Sequence, residues 1–120
     1  MDEICIAFLQ FRDNIKLFHF QTKSYAAHKA SDVLEVKFSA LLDRFMEVLQ
    51  GSYNMRVGIS RAVIHLDNHT RNIESYAASM VQYIASISTD LAVRHDDLVN
   101  ILADMSAEIE QFIYLLTFDE

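Results

Sequence analysis

Apolar residues recur at steps of three and four in four separate stretches of the chain. This spacing places side chains on one face of an α-helix, so the pattern predicts four amphipathic helices. The first is predicted over about residues 3–21, with polar residues between the members of its apolar stripe. That stripe consists of Ile4, Phe8, Phe11, Ile15 and Phe18.

The second predicted helix is the longest and runs from about Ser24 to Gln50. Ser24 can accept a hydrogen bond from a free amide of the first turn, and Gly51 can take the left-handed conformation that ends many helices. Its predicted core face consists of Ala30, Leu34, Phe38, Leu41, Leu42, Phe45 and Leu49.

The third and fourth predicted helices each follow a polar segment that supplies N-cap residues. The third is predicted to start near residues 67–70, the sequence DNHT, and the fourth near Asp96 or Asp97, with an aspartate as its cap. The core face of the third is Ile73, Tyr76, Ala77, Met80, Tyr83, Ile84 and Ile87. That of the fourth is Ile101, Leu102, Met105, Ile109, Phe112, Ile113 and Leu116.

The connections predict how these helices are arranged. Only a few residues join helices one and two, and helices three and four, so each pair should form an antiparallel hairpin. The middle connection, residues 52–66, reaches roughly 50 Å when extended, whereas a helix of about 25 residues is roughly 38 Å long. We therefore predict one all-α domain over residues 1–120, a ferritin-like four-helix bundle with two hairpins joined by one long crossover. The pattern of VGISRAVIHL leaves open whether it crosses as extended chain or as a short helix.

Composition narrows the fold class and the partners. Of 120 residues, 52% are apolar, two are glycine and none is proline, which suits long helices and argues against a turn-rich β-sandwich. The net charge of −7 and the scattered lysines and arginines argue against direct binding of nucleic acid.

Cys5, the single cysteine, can form no internal disulfide and is expected to lie in the core. The N-terminal stretch lacks a secretory signal and is too short an apolar run to cross a bilayer, so we expect an intracellular protein without a membrane role.

Helix two carries two pairs of potential metal ligands on the side opposite its core face. His28 and Asp32 are four residues apart, as are Asp43 and Glu47, and eleven residues, about three turns, separate the pairs. The midpoints of the pairs are about 22 Å apart along the axis, while bonds to a first-row metal are about 2 Å. One chain therefore cannot close one site with both pairs. Two copies of helix two can, if they lie antiparallel about a two-fold axis near Lys37.

Such a homodimer would contain two equivalent sites, each with one pair from either chain. His19 ends helix one just before the tight turn, so it should lie near the His28 end of helix two and could complete the set. Taken alone, His19 is interpreted as a helix-end histidine packed against aromatic side chains. Two imidazoles and three carboxylates suit Fe(II), Mn(II) or Zn(II), and redox chemistry favours iron. O₂ or peroxide would take electrons from bound Fe(II), and Fe(III) would pass to a growing mineral. For either pair taken alone, a solvated surface is the simpler interpretation.

The same residues resemble the DNA-protecting mini-ferritins, the Dps family. "HF" at His19, "HKASD" from His28 to Asp32 and "DRFME" from Asp43 to Glu47 follow the order of that family's ligand motif. The resemblance implies an intersubunit ferroxidase site and assembly of dimers into a larger cage. "FHFQTKSYAAHKA", "FMEVLQG" and "DLVNIL…YLLT" look still more like a short ferritin-like group of large DNA viruses and phages, which implies a virus-encoded protein.

Two hypotheses of function remain. In the first, the protein binds or oxidises iron, and the five ligands are the catalytic residues of a ferroxidase. In the second, it is a non-enzymatic dimer or assembly module that kept the bundle and lost the chemistry. His65, His69 and His95 share no spacing with the ligand set and are interpreted as loop or cap residues.

Overall fold

The computed structural model of the protein describes residues 1–92 and 94–118. Within these ranges it contains four α-helices and no β-strand, which confirms the prediction of an all-α four-helix bundle. None of these helices is both long enough and apolar enough to cross a membrane. The helices are α1 (Asp2–Gln21), α2 (Tyr25–Tyr53), α3 (Ile73–Leu91) and α4 (Asp96–Leu115).

The two hairpins are present, and the contacts between helices give their directions. His19 at the end of α1 stacks on His28 near the start of α2, so these helices run antiparallel. The hydroxyl of Tyr53 at the end of α2 lies 3.0 Å from Nε2 of His95 just before α4, so α2 and α4 also run antiparallel. Because α3 and α4 form the second hairpin, α2 and α3 are parallel. The chain between them must return along the whole bundle, which is the predicted connectivity.

Most of the core predicted from the four apolar stripes is confirmed. Seven predicted core residues are only partly buried and pack against it: Ile4, Leu41, Tyr76, Met80, Tyr83, Ile113 and Leu116. Phe38 of α2 is fully buried, and its ring lies edge-on to those of Phe8 and Phe11 at centroid distances of 5.8 and 5.1 Å. Cys5 is buried as expected, and burial, together with the negative charge of Asp2, raises the pKa of its thiol. The largest fully buried side chains are Phe8, Phe11, Phe38, Phe45, Phe112, Ile15, Leu34, Ile84, Leu98, Leu102, Met105 and Ile109.

The crossover, residues 54–72, passes along α1 without forming a helix. Polar side chains of α1 hold its backbone at intervals. Oδ1 of Asp2 accepts from the amide of Gly58 at 3.0 Å, and Oε1 of Gln10 accepts from the amide of His65 at 2.9 Å. These bonds fix the path of a segment that has no backbone hydrogen-bond ladder of its own.

Asn14 is the buried residue on which the crossover depends most, with only 1% of its surface exposed. Its Nδ2 donates to the carbonyl oxygens of Gln10 and His65, both at 2.9 Å, and its Oδ1 accepts from the amide of Asp67 at 2.9 Å. One side chain therefore satisfies two backbone groups of the crossover and one of its own helix.

The predicted C-terminal end of α2 was wrong. The helix continues through Gly51 to Tyr53, and Asn54 takes the left-handed conformation instead, with φ 50° and ψ 46°. The amide of Asn54 donates to the carbonyl of Gly51 at 3.3 Å, and that of Met55 donates to Gln50 at 3.1 Å. Asparagine is the second choice after glycine for this position, so the last carbonyls are satisfied three residues later than predicted.

Helix α3 starts a few residues after the predicted cap segment 67–70, and its N-cap is not one of the predicted residues. Oδ1 of Asn68 accepts from the amide of Thr70 at 3.0 Å and from its hydroxyl at 2.8 Å, so this side chain closes a local turn. The helix begins at Ile73 with Asn72 as the N-cap, and the cap makes no side-chain hydrogen bond.

The start of α4 at Asp96 confirms the prediction, but its cap differs. His95 is the N-cap residue, and the two aspartates lie in the first turn. There their negative charges face the positive end of the helix dipole, which is the stabilising placement.

The N-cap of α2 is Ser24, as predicted, and its Oγ accepts from the amide of Ala27 at 3.1 Å. Ser24→Ala removes this acceptor and should lower the free energy of unfolding by about 1 kcal/mol. Ser24→Gly should lower it by only about a few tenths of that value, because glycine is itself tolerated as an N-cap. Urea unfolding followed by circular dichroism measures both. Equal losses for the two variants would contradict this role of the hydroxyl.

Candidate metal centre

The two predicted histidine ligands meet at the tight turn between α1 and α2. The rings of His19 and His28 stack with centroids 3.9 Å apart and an angle of 19° between their planes. Nδ1 of His19 donates to the carbonyl oxygen of His28 at 2.9 Å, and Nδ1 of His28 donates to the carbonyl oxygen of His19 at 3.1 Å. We call this reciprocal pair the histidine clasp.

The hydrogen bonds of the histidine clasp fix which ring nitrogen is free. Because a carbonyl oxygen can only accept, Nδ1 carries the proton in each ring, and Nε2 of the neutral ring keeps its lone pair. Histidines that bind metals usually show this arrangement, with the second nitrogen donating to a carbonyl or a carboxylate. Both rings are therefore in the tautomer that a metal bound through Nε2 requires.

Ser31 supports the histidine clasp and was not among the predicted site residues. It is fully buried, and its Oγ lies 3.2 Å from Nδ1 of His19 while donating to the carbonyl oxygen of Ala27 at 2.8 Å. The signal in the sequence is a hydroxyl on the core side of α2, three residues after His28. Ser31 thus links the orientation of the His19 ring to the backbone of α2.

The two carboxylates of the second pair, Asp43 and Glu47, are exposed one turn apart on α2. A side-chain hydrogen bond with Asp43, followed by the negative charge of that residue, raises the pKa of Glu47. The shift records that two carboxylates in this position repel each other when both are charged. A cation beside them would remove this repulsion. Asp32 is likewise exposed, one turn after His28.

One chain does not bring the five predicted ligands together. In the part of the chain that the structure describes, no group of three or more His, Cys, Asp or Glu side chains is placed to hold a metal ion. The histidine clasp with Asp32 lies near the start of α2, and the carboxylate pair lies about 22 Å further along the helix. This holds for His19, His28 and Asp32 as well, which do not form such a group within one chain. A site that contains all five residues therefore needs two chains and a rearrangement of these three side chains.

Glu35 also lies on α2 between the two groups of ligands, but its carboxylate is already occupied. Oε1 lies 3.5 Å from Nζ of Lys16, and Oε2 accepts from the hydroxyl of Ser39 at 3.0 Å. These contacts within the chain explain why Glu35 is not added to the set.

The other histidines lie in loop and cap positions, as interpreted. His95 is the N-cap of α4, and His69 is buried in the crossover, where it stacks on Tyr76 at a centroid distance of 3.8 Å. His65 is exposed in the crossover. None of the three approaches the histidine clasp.

The outward side of α2 carries apolar residues as well as ligands. Tyr25 is 64% exposed, Val36 is 60% exposed, and Val33 and Ala40 are also exposed. Tyr25 and Val36 are eleven residues apart, about three turns, so they lie on the same side of the helix. Exposed apolar residues aligned on one helix face are typical of a surface that binds another protein.

Comparison with known proteins gives one family model, described as "Family of unknown function (DUF5856)", which matches residues 19–116. The matched segment begins at His19, includes every predicted ligand and ends at Leu116, the C-cap of α4. No curated protein and no solved structure matches the chain.

Proposed function

This chain belongs to DUF5856, a family of unknown function, and we propose that it is a mini-ferritin-like protein that binds iron between two copies of α2. In this proposal His19, His28 and Asp32 of one chain and Asp43 and Glu47 of its partner hold the metal. Fe(II) is the substrate, and Mn(II) or Zn(II) suit the same nitrogen and oxygen ligands.

The observation that carries the proposal is the histidine clasp. Its two carbonyl hydrogen bonds leave Nε2 with a free lone pair in each of two neighbouring rings. The carboxylate pair supplies the negative charge that a divalent cation needs, and the exposed apolar residues of α2 supply a surface for the second chain. Bound iron would provide Fe(II)/Fe(III) redox chemistry, and the residues of the site would bind the metal in both oxidation states.

The test is iron uptake by the purified protein. Fe(II) added without oxygen should bind at about one site per chain, since a two-fold dimer has two equivalent sites. Admission of air should then give the absorbance of Fe(III). A variant with both His28→Ala and Asp43→Ala should lose binding and oxidation. The matched control combines His65→Ala with Asp104→Ala, which removes one exposed histidine and one exposed aspartate elsewhere. Equal iron oxidation by the His28/Asp43 variant and by wild type would refute the proposal.

Mixing two single variants tests whether each site contains residues of two chains. His28→Ala and Asp43→Ala each remove both sites of their own homodimer. A mixed dimer regains one intact site, with His28 from one chain and Asp43 from the other. Random mixing should therefore restore about one quarter of the wild-type capacity. No recovery in a sample shown to contain mixed dimers would exclude the intersubunit arrangement.

One observation favours a second candidate, a non-enzymatic assembly module. The reciprocal hydrogen bonds of the histidine clasp by themselves connect the end of α1 to the start of α2, so both histidines have a structural role without metal. In that case the protein would dimerise, take up no iron, and lose stability on replacement of either histidine.

A further inference from the structure

Gly51 has no role inside its own chain that requires glycine. It lies within α2, its backbone is not in the left-handed region, and a Cβ added there would meet no neighbouring atom within 4 Å. Glycine within a helix costs about 0.5–1 kcal/mol relative to alanine. It is one of only two glycines in the sequence, and no contact within the described residues explains why this position is glycine.

Tyr25 is the opposite case, a large ring that the chain leaves exposed. It is the first residue of α2 and borders an apolar groove of about 300 Å³ that Val33, Leu115 and Phe118 also line. Nζ of Lys29 lies 5.8 Å from the centre of the Tyr25 ring. Since an aromatic side chain can bury about 150–250 Å² against a partner, Tyr25 is suited to anchor an interface.

The register of the proposed dimer brings these two residues together. With His28 opposite the partner's Glu47 and Asp32 opposite the partner's Asp43, the two-fold axis passes between Lys37 and Phe38. Tyr25 is then level with the partner's Gln50, next to Gly51. The helical angle between positions 25 and 51 differs by less than a quarter of a turn, so both lie on the facing side of α2.

We propose that Tyr25 of each protomer packs over the partner's Gly51, and that this glycine is the seat of the tyrosine ring in the dimer. The proposal rests on the dimer of the proposed function and adds a specific contact between its two chains. By symmetry the contact forms twice, once at each end of the paired helices.

The area that a stable dimer needs supports this contact. The paired helices would run side by side for about 39 Å between positions 25 and 51, and a helix is about 10 Å wide. The strip alone buries on the order of 400 Å² per protomer, whereas stable interfaces bury about 800 Å² per partner. The Tyr25 ring adds at most about 150–250 Å², which leaves the total below about 800 Å², so the dimer also has to cover the apolar groove beside the ring.

The charges along α2 match only in part in this register, because Asp32 lies opposite the partner's Asp43 and a bound cation has to lie between these two carboxylates. The N-terminal half presents the ammonium of Lys29, and the C-terminal half presents the carboxylates of Asp43 and Glu47. The antiparallel arrangement places Lys29 beside the partner's Glu47. A parallel arrangement would place the carboxylate pairs of the two chains together, which like-charge repulsion disfavours.

The test compares dissociation constants of the dimer by sedimentation. Gly51→Leu fills the seat of the ring and should raise the dissociation constant by at least about tenfold. Ser79→Leu, an exposed position on α3, is the matched control and should leave it unchanged. As a monomer, Gly51→Leu should unfold at the wild-type temperature or above, because leucine favours a helix more than glycine does.

A double variant tests the contact itself. Tyr25→Ala should also weaken the dimer, and adding it to Gly51→Leu should restore part of the lost affinity, because alanine leaves room for the leucine. If Gly51→Leu dimerises as tightly as Ser79→Leu, or if the two substitutions weaken the dimer independently, the inference is wrong.

A disulfide cross-link between two chains distinguishes failure of this inference from failure of the proposed function. Val36→Cys lies close to the proposed two-fold axis and should cross-link two chains through α2. Cross-linking together with iron binding, but with no effect of Gly51→Leu, would leave the proposed function standing and overturn the seat of Tyr25. A wild-type chain that stays monomeric with and without iron would overturn both.

Discussion

Replacing Phe38 by alanine should lower the free energy of unfolding by about 3–5 kcal/mol. The ring is fully buried at the centre of α2 and lies edge-on to Phe8 and Phe11. Its removal leaves a cavity and also deletes two aromatic contacts, each worth about 0.5–1.5 kcal/mol beyond the buried area. Chemical denaturation monitored by circular dichroism measures the loss.

The control for Phe38 is another phenylalanine that the fold leaves outside. Phe20 is 70% exposed, so Phe20→Ala should change the free energy of unfolding by no more than about 0.5–1 kcal/mol. The free energy of unfolding of a small domain is only about 5–15 kcal/mol. Because Phe38→Ala removes a large part of it, Phe38→Leu is measured as well to keep a folded baseline. Leucine should cause a smaller loss than alanine because it leaves a smaller cavity. Similar losses for positions 20 and 38 would contradict the packing described here.

The helices and their buried faces could be predicted because both depend on local spacing. Ile4, Phe8 and Phe11 repeat at helical steps, and the side that they define is the side that the other helices cover. The helix ends depend on competing hydrogen bonds, and these were predicted less well. Gly51 could have ended α2, but Asn54 satisfies the last carbonyls instead. Asn68 could have capped α3, but its side chain bonds to Thr70.

In the candidate site, too, some features follow from local spacing and others depend on contacts that the spacing does not reveal. The positions of His28, Asp32, Asp43 and Glu47 on α2 follow from helical arithmetic alone. The tautomers of the histidine clasp do not, because they depend on which carbonyl oxygens the tight turn brings within reach of each Nδ1. Ser31 was missed for the same reason, since its hydroxyl matters through a contact with His19 across that turn. Whether two chains pair depends on the whole exposed surface of α2. The sequence of one chain specifies only the two groups of ligands that the proposed dimer would combine.

The path of the crossover depends on hydrogen bonds to α1. Asn14→Ala should show how much these bonds contribute to the free energy of unfolding. The substitution leaves the carbonyl of His65 and the amide of Asp67 without their partner in a partly buried setting. Each unsatisfied buried group costs about 1–3 kcal/mol, so we expect a loss of about 2–4 kcal/mol in the free energy of unfolding. The amide of Asp67 should also exchange with deuterium faster than in wild type. Asn100→Ala, at an exposed position of α4, should have little effect or stabilise, because alanine favours the helix.

Asn14→Asp tests the donor separately from the acceptor. The introduced carboxylate can still accept from the amide of Asp67, but when ionised it cannot donate to His65, and only 1% of position 14 is exposed. Burial without a cation should raise the folded-state pKa of this carboxyl above its usual value of about 3.9. A group with a raised folded-state pKa contributes full stability below the unfolded-state value, and that contribution is lost as pH rises through the folded-state value. The deficit of Asn14→Asp relative to wild type should therefore shrink as the pH is lowered from 7 toward 5, while that of Asn14→Ala stays constant. A deficit that grows on acidification would mean that the acceptor alone holds the crossover against α1.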